Sequence, residues 1–352
     1  MEFIIKWLQT HLVKALPEWD LSLLASKERG KLRLSPEQLL QVIHAQALAE
    51  WALAMAHRFS RPQLKKRAGA PQKYRDSSIL LMAIVQSVWR KSYEQIVDSV
   101  ATHPDLAEQI GFTGRTISKG QYWERRQALG ILPFLFFFLG LVGQLVRLGV
   151  ITGRELIVDS TLLKAWYRDD PDATWQKYAG RKPLFGYKVY TVLCHQADLP
   201  VFVFVTAAHV HDSQVGWLIV LLAAVLYGLR VLVVYADAAY FDGKMFWVIH
   251  DFLGGHAAVD YDLRRSGKRK LATLFFLQQW QRLVMAPCTA IERHFAWMKR
   301  YVGLNDFQGY TLLRVTQFVL LTYSAALAVA LAAHRYQRPD LYHRHSMVLA
   351  QV

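Results

Sequence analysis

Residues 155–160 read Glu-Leu-Ile-Val-Asp-Ser, a short apolar run that is partly β-branched and ends in polar residues. This pattern predicts a buried β-strand with Asp159 at its end. Residues 231–236, Val-Leu-Val-Val-Tyr-Ala, have the same character and are followed directly by Asp237. Because ligands gather at the carboxyl ends of strands in open sheets, both aspartates are candidate functional residues.

The surrounding sequence predicts further strands and helices. Residues 185–195 and 199–207 form strand-like runs, residues 213–229 predict a helix, 257–261 another strand and 289–301 a further helix. With a further helix between the strands at 231–236 and 257–261, the predicted order is three strands, a helix, a strand, a helix, a strand and a helix. Such an order favours an α/β fold with a mixed sheet covered by helices.

The first half of the chain is predicted to be helical. Ser35, Ser92 and Ser118 are each followed three residues later by glutamine, the spacing of a capping box that begins a helix. We therefore expect a helical region at 1–150, an α/β domain at 151–335 and a basic C-terminal tail at 336–352.

Short helices after Ser92, near Asp105 and after Ser118 favour a helix-turn-helix-like, DNA-binding cluster. Its last helix carries basic residues that suit a helix lying on DNA: Lys119, Arg125 and Arg126. The alternative is a solvated basic face on an ordinary helical bundle.

Composition narrows the class of protein. The 352 residues are 53% hydrophobic and 20% charged, which excludes a disordered chain. Lys and Arg number 42 against 27 Asp and Glu, and the net charge of +15 indicates a polyanionic partner. Two cysteines exclude a disulfide framework and indicate a reducing, cytoplasmic compartment.

A membrane protein is the alternative that the apolar content raises. The most apolar stretches, at 131–146, 217–229 and 318–333, are each shorter than the roughly 18 uninterrupted apolar residues of a membrane-spanning helix. We therefore expect buried helices of an α/β protein and no membrane association.

Three carboxylates carry the predicted chemistry: Asp159, Asp237 and Glu292, the last within the helix predicted at 289–301. Each of them alone suits a helix cap or a salt bridge. Together, without histidine or cysteine partners, they favour Mg²⁺ or Mn²⁺. Two such ions about 3.5–4 Å apart promote phosphodiester cleavage. Because no Walker or Gly-x-Gly-x-x-Gly pattern occurs, no nucleotide cofactor is expected.

A second combination, His209-x-His211-Asp212, has the residue types of a two-histidine, one-carboxylate iron or zinc site. It follows a predicted strand and precedes a predicted helix. Capping of that helix by Asp212 or Ser213 is therefore the favoured interpretation.

Five sequence blocks, in this order, resemble the DDE transposases of bacterial insertion sequences of the IS-four and IS-five group. They lie at residues 157–161, 185–188, 209–213, 236–242 and 291–295, within a resemblance that covers about 69–335. The IS-four signature, Tyr-x2-Arg-x3-Glu-x6-Lys, is kept at Glu292 and Lys299 but has Met285 and Cys288 at its Tyr and Arg positions. The chain is therefore closer to the IS-five branch.

The resemblance implies a ribonuclease H-like catalytic domain in which Asp159, Asp237 and Glu292 bind two Mg²⁺ or Mn²⁺ ions. It further implies hydrolysis at the inverted repeats of double-stranded DNA, followed by direct attack of the 3′-hydroxyls on target DNA. Two-ended cutting implies a homodimer on DNA, in the bacterial cytoplasm at the nucleoid. The alternatives are a nuclease or resolvase of the same fold and a non-catalytic, domesticated DNA-binding protein.

Basic residues around this site are the expected contacts to DNA phosphates. We expect such contacts from Lys188, Lys299 and Arg300, and from the basic loop residues Lys268, Arg269 and Lys270. An ordinary surface position is the alternative for Lys188, Lys299 and Arg300.

Overall fold

The computed structural model describes residues 22–24, 30–60, 74–112, 117–177, 182–260 and 287–351. The described residues form two compact units. An α/β unit comprises those between 145 and 315, except 301–303. A helical unit comprises those up to 144, residues 301–303 and those from 316 onward.

Three short helices of the helical unit have well-formed amino termini. Ser35, Ser92 and Ser118 each accept the backbone N–H of the glutamine three residues later, and that glutamine accepts the serine N–H in return. The three predicted capping boxes are thus confirmed. The helices are α1 (Pro36–Val42), α2 (Ala45–Phe59), α3 (Asp76–Val88), α4 (Tyr93–Thr102), α5 (Pro104–Ile110), α6 (Lys119–Ala128) and α7 (Leu132–Arg147).

The α/β unit contains one mixed sheet. Its strands are β1 (Glu155–Lys164), β2 (Thr174–Gln176), β3 (Leu184–Cys194), β4 (Leu199–Ala207), β5 (Val233–Ala236) and β6 (His256–Val259). The strand order is β2-β3-β1-β5-β6, and β4 also pairs with β3. Strand β3 pairs antiparallel with β1 and with β4, whereas β5 pairs parallel with β1 and with β6. The predicted mixed sheet is confirmed.

Helices cover both faces of this sheet. They are α8 (Asp212–Tyr227) on one face and α10, at residues 287–297, on the other, while the short α9 (Gly243–Trp247) packs against α8. On one face, Ile291 and Phe295 of α10 pack with Ile157 of β1 in a buried cluster. Helix α8 contacts β1, β3 and β4. Because strand side chains alternate between faces, each strand presents residues to both sets of helices.

The chain ends with α11 (Leu312–Arg335) and the one-turn α12 (His345–Val348). The predicted boundary at 335 assigns all of α11 to the α/β domain, whereas from Thr316 onward its residues group with the helical unit. Within that unit, the Gln317 amide donates to the carbonyl of Gly130 at 2.6 Å, and Arg335 donates to the carbonyl of Val42.

Helix α11 also corrects the prediction that every apolar stretch is too short to span a membrane. Among the described residues, α11 is long and apolar enough to do so. The number of candidate spans rises to three if two sharply bent helix pairs, α1 with α2 and α6 with α7, are each counted as one span. The apolar stretch predicted from the sequence begins at Phe318, whereas the helix begins six residues earlier, at Leu312. However, 89% of its most apolar 18-residue window is buried inside the protein.

Candidate active site

Asp159 and Asp237 lie side by side on neighbouring parallel strands. Val158 of β1 is opposite Ala236 of β5, so the next residue on each strand is an aspartate. Asp237 directly follows β5, and its carboxylate accepts the N–H of Ala239 at 2.9 Å. The register of this parallel pair therefore brings two carboxylates together at one point of the sheet.

The sequence pattern predicts that strand β1 ends at Asp159, but the strand is longer. It continues to Lys164, because residues 160–164 keep their antiparallel pairing with β3. The polar residues after Asp159 thus belong to a strand and not to a loop. As a result, Asp159 lies inside β1, opposite Thr191 of β3, directly after the segment that also pairs with β5.

Glu292 is brought to the same face of the sheet by α10. Ile291 and Phe295 are buried against Ile157, which shares its face of β1 with Asp159 two residues later. The carboxylate of Glu292 is exposed. Packing of the apolar side of α10 on β1 therefore holds an accessible acid on the face that Asp159 occupies.

The pKa values of Asp159 and Cys288 show that the three acids interact electrostatically. Burial first, and then the neighbouring Asp237, Asp212 and Glu292 carboxylates, raise the pKa of Asp159 to about 8, while the Ser160 N–H opposes this rise. Burial, and then the carboxylates of Asp159, Asp237, Glu292 and Asp260, raise the pKa of the Cys288 thiol to about 12. The three predicted acids therefore lie within electrostatic reach of one another.

Lys299, in the helical turn Met298–Val302 directly after α10, anchors this turn to β1. Its ammonium donates to the Thr161 hydroxyl at 2.7 Å and to the Leu162 carbonyl at 3.1 Å. Burial lowers the pKa of Lys299 below its ordinary value. Thr161 lies two residues beyond Asp159, so this ammonium binds β1 on the face that Asp159 occupies.

Comparison with known proteins gives the family. The model of the transposase DDE domain matches residues 152–328, half of the chain and nearly all of the α/β unit. The chain belongs to the DDE transposase family.

No curated protein matches this transposase. A similar solved structure is the cryo-EM structure of the piggyBac transposase synaptic complex with hairpin DNA. It shares 10% sequence identity, covers 91% of this chain and 83% of that chain, and superposes with a TM-score of 0.43.

DDE transposases generally use divalent metal ions, and the donor chemistry of the transposase domain fits this use. Asp159 and Asp237 follow a pair of residues in register and interact electrostatically, and their carboxylate oxygens are the ligands that Mg²⁺ and Mn²⁺ prefer. Among the described residues, no group of three or more His, Cys, Asp or Glu side chains is close enough together to hold a metal ion. Asp237 and Glu292 are nevertheless near enough to Asp159 for their charges to raise its pKa.

The structure corrects the prediction that Lys188 of the transposase contacts DNA phosphates. Its side chain is only 1% exposed and pairs with Asp212, with both N–O distances at 3.3 Å. Its ammonium also donates to the carbonyl of Val210 at 2.8 Å. A lysine so enclosed is not available to a DNA backbone. Arg300 is exposed, as a phosphate contact requires.

The basic residues predicted on α6 differ in their environments. Lys119 is exposed and pairs with Glu94, and the half-buried Arg125 pairs with Asp76. Arg126 is buried, so its predicted DNA contact is wrong. Its guanidinium donates to the Gln86 amide oxygen at 2.8 Å. The basic loop residues Lys268, Arg269 and Lys270 lie outside the described residues.

The segment at 209–213 begins α8, but not through the residues predicted to cap it. His211 is the capping residue and its ring accepts the Ser213 N–H at 3.3 Å. Asp212 is the first helical residue and accepts the Ser160 hydroxyl at 2.8 Å. Sequence reasoning missed this link between Asp212 and β1. One signal in the sequence could have indicated it: the alternation of side chains along a strand places Ser160 on the face opposite Asp159, where it needs a polar partner.

Proposed function

We propose that this transposase cleaves the ends of an insertion sequence by metal-dependent hydrolysis and joins the released 3′-hydroxyls to target DNA by direct transesterification. The observation that carries this proposal is the in-register placement of Asp159 beside Asp237, with Glu292 within electrostatic reach. A cluster of like charges is unfavourable unless a cation neutralises it. This supports a divalent-ion site within a ribonuclease H-like domain.

In this proposal the chain's residues have distinct roles. Asp159 and Asp237 supply oxygen ligands from a rigid pair of strands, and Glu292 supplies a third from α10. When bound, a pair of Mg²⁺ or Mn²⁺ ions activates the attacking oxygen and stabilises the leaving oxygen. Lys299 holds the turn directly after α10 against β1, and Arg300 in the same turn is exposed, as a contact to the DNA backbone requires.

The DNA-binding role extends to the helical region, where α6 presents a polar, exposed surface. Lys119, Gln121 and Trp123 are exposed along this helix, while Tyr122 and Arg126 face inward. The net charge of +15 supports binding of double-stranded DNA. We place the protein on the IS-five branch, as a homodimer on the inverted repeats in the bacterial cytoplasm.

The test uses variants that keep side-chain shape. Asp159→Asn, Asp237→Asn and Glu292→Gln are each expected to lose Mg²⁺- or Mn²⁺-dependent cleavage of terminal-repeat DNA and to retain binding in a gel-shift assay. Asp242→Asn is the matched control, because Asp242 only caps α9 through the Lys244 N–H at 2.9 Å.

The outcomes separate the alternatives. Normal cleavage by any of the three site variants would refute the role of that residue. Cleavage without joining of a pre-cut end to target DNA would indicate a nuclease or resolvase. No cleavage of cognate ends by the natural sequence in either metal would indicate a non-catalytic DNA-binding protein.

A further inference from the structure

Ser160 points away from Asp159, to the other face of the sheet. Ile157, Asp159 and Thr161 share the face covered by α10. Because side chains alternate along a strand, Ser160 faces the opposite side. There the Ser160 hydroxyl donates to the carboxylate of Asp212, at the start of α8, at 2.8 Å. Its backbone N–H donates to the Asp159 carboxylate at 2.7 Å. Ser160 thus contacts one acid on each face.

Asp212 is held in turn by Lys188. The lysine lies opposite Leu162 in the β1–β3 register, and the two side chains of such a pair share a face, which is also the face of Ser160. The lysine side chain is 1% exposed and the aspartate side chain 16% exposed. A buried lysine without a partner is costly, so this pair fixes the position of the Asp212 carboxylate.

The lysine has a second fixed contact, with the carbonyl of Val210 just before α8. Tyr190, also of β3, donates its hydroxyl to the same carbonyl at 2.9 Å. Two side chains of β3 therefore tie the start of α8 to the sheet, directly behind the strand that carries Asp159.

We propose that Lys188 and Asp212 are positioning residues that act through Ser160 to hold the Asp159 carboxylate in place for its cation. The inference rests on the proposed function of Asp159. Lys188 orients Asp212, Asp212 fixes the Ser160 hydroxyl, and the Ser160 backbone N–H then holds one oxygen of Asp159. Groups that orient a metal ligand from behind typically change metal affinity or activity 10–100-fold when they are removed.

The first test removes only the link between the two faces. Ser160→Ala is expected to weaken Mn²⁺ binding, measured by electron paramagnetic resonance on the full chain without DNA, by about tenfold. Single-turnover cleavage should slow by a similar factor. Ser160→Thr keeps a hydroxyl and suits a strand, so it should restore both values to near normal. Ser213→Ala is the matched control, since its hydroxyl contacts His211 and not β1.

The second test asks whether Ser160 and Asp212 act as one unit. Asp212→Asn should reduce Mn²⁺ affinity, and the double variant Ser160→Ala/Asp212→Asn should be no weaker than the worse single variant. Because Asp212→Asn leaves the Lys188 charge without its counterion, thermal denaturation accompanies each measurement. Ser160→Ala alters no charge, so it gives a valid result even if Asp212→Asn does not fold.

Several results would overturn the inference. Normal Mn²⁺ affinity in Ser160→Ala, a lower melting temperature as its sole effect, or additive losses in the double variant would each contradict positioning. The proposed function fails separately: it is lost if Asp159→Asn cleaves normally. If Asp159→Asn is inactive and Ser160→Ala is normal in binding and cleavage, the positioning role alone is wrong.

Discussion

Replacing Asp159 by asparagine is expected to stabilise the metal-free protein, and increasingly so as pH rises. Burial and neighbouring acids raise the pKa of this carboxyl from 3.8 to about 8 in the folded protein. The folded state therefore holds the proton more tightly than the unfolded chain. The stability that this group contributes is fully present below about pH 4 and is lost as pH rises through about 8.

The magnitude follows from these two pKa values. Between pH 6 and pH 9 the carboxyl is charged throughout in the unfolded chain, but in the folded protein it changes from mostly protonated to mostly charged. At about 1.36 kcal/mol per pKa unit, the natural sequence would lose up to about 3 kcal/mol over this interval. Water at the partly exposed carboxylate screens part of this effect, so we expect about 1–2 kcal/mol.

The assay compares denaturant unfolding of the natural sequence and Asp159→Asn, in a chelator, at pH 6 and pH 9. Asparagine keeps an oxygen acceptor for the Ser160 N–H, so the comparison isolates the charge. Mn²⁺ should then stabilise the natural sequence but not the variant, because it binds the folded state through this carboxylate. Asp242→Asn should match the natural sequence under all conditions.

One result would refute this reasoning. If the natural sequence and Asp159→Asn lose the same stability between pH 6 and pH 9 without metal, Asp159 carries no raised pKa. The clustering of acids around it would then be wrong.

Two further predictions concern packing. Gly186→Ala is expected to destabilise the fold by about 3 kcal/mol or more, since its new Cβ would lie 2.0 Å from the Leu163 carbonyl oxygen in β1. Gly120→Ala is the control, with nothing within 4 Å of its Cβ, and should be neutral or stabilising in denaturant unfolding. Arg126→Ala should destabilise the helical unit by about 1–3 kcal/mol through its lost buried hydrogen bond. Lys119→Ala should change the free energy of unfolding by less than about 0.5 kcal/mol. It should also reduce the slope of log binding constant against log salt concentration by about 0.9, the value for one phosphate contact.

Opposite results would be equally clear. A stable Gly186→Ala variant would mean that β1 and β3 do not approach as closely as the pairing indicates. Equal loss of DNA affinity without loss of stability in Arg126→Ala and Lys119→Ala would favour an exposed Arg126.

Much of the sheet could be predicted because its signals are local. Alternation and β-branching mark β1, β3, β4 and β5, and the serine–glutamine pairs mark three helix starts, since caps depend on residues only three positions apart. The short strand β2 has no such signal, because it exists only through its pairing with β3. The length of β1 was also underestimated, since polar residues continue as strand when a partner strand supplies their hydrogen bonds.

A basic α/β protein with acids at Asp159, Asp237 and Glu292 can be predicted from the sequence, because strand and helix patterns depend on neighbouring residues. Which basic residues are buried, and which acids come close to one another, depends on the folded chain. Lys188 and Arg126 look like surface residues in the sequence, yet each is enclosed by partners distant along the chain. Burial and charge interaction depend on contacts between remote segments, and such contacts exist only after the chain has folded.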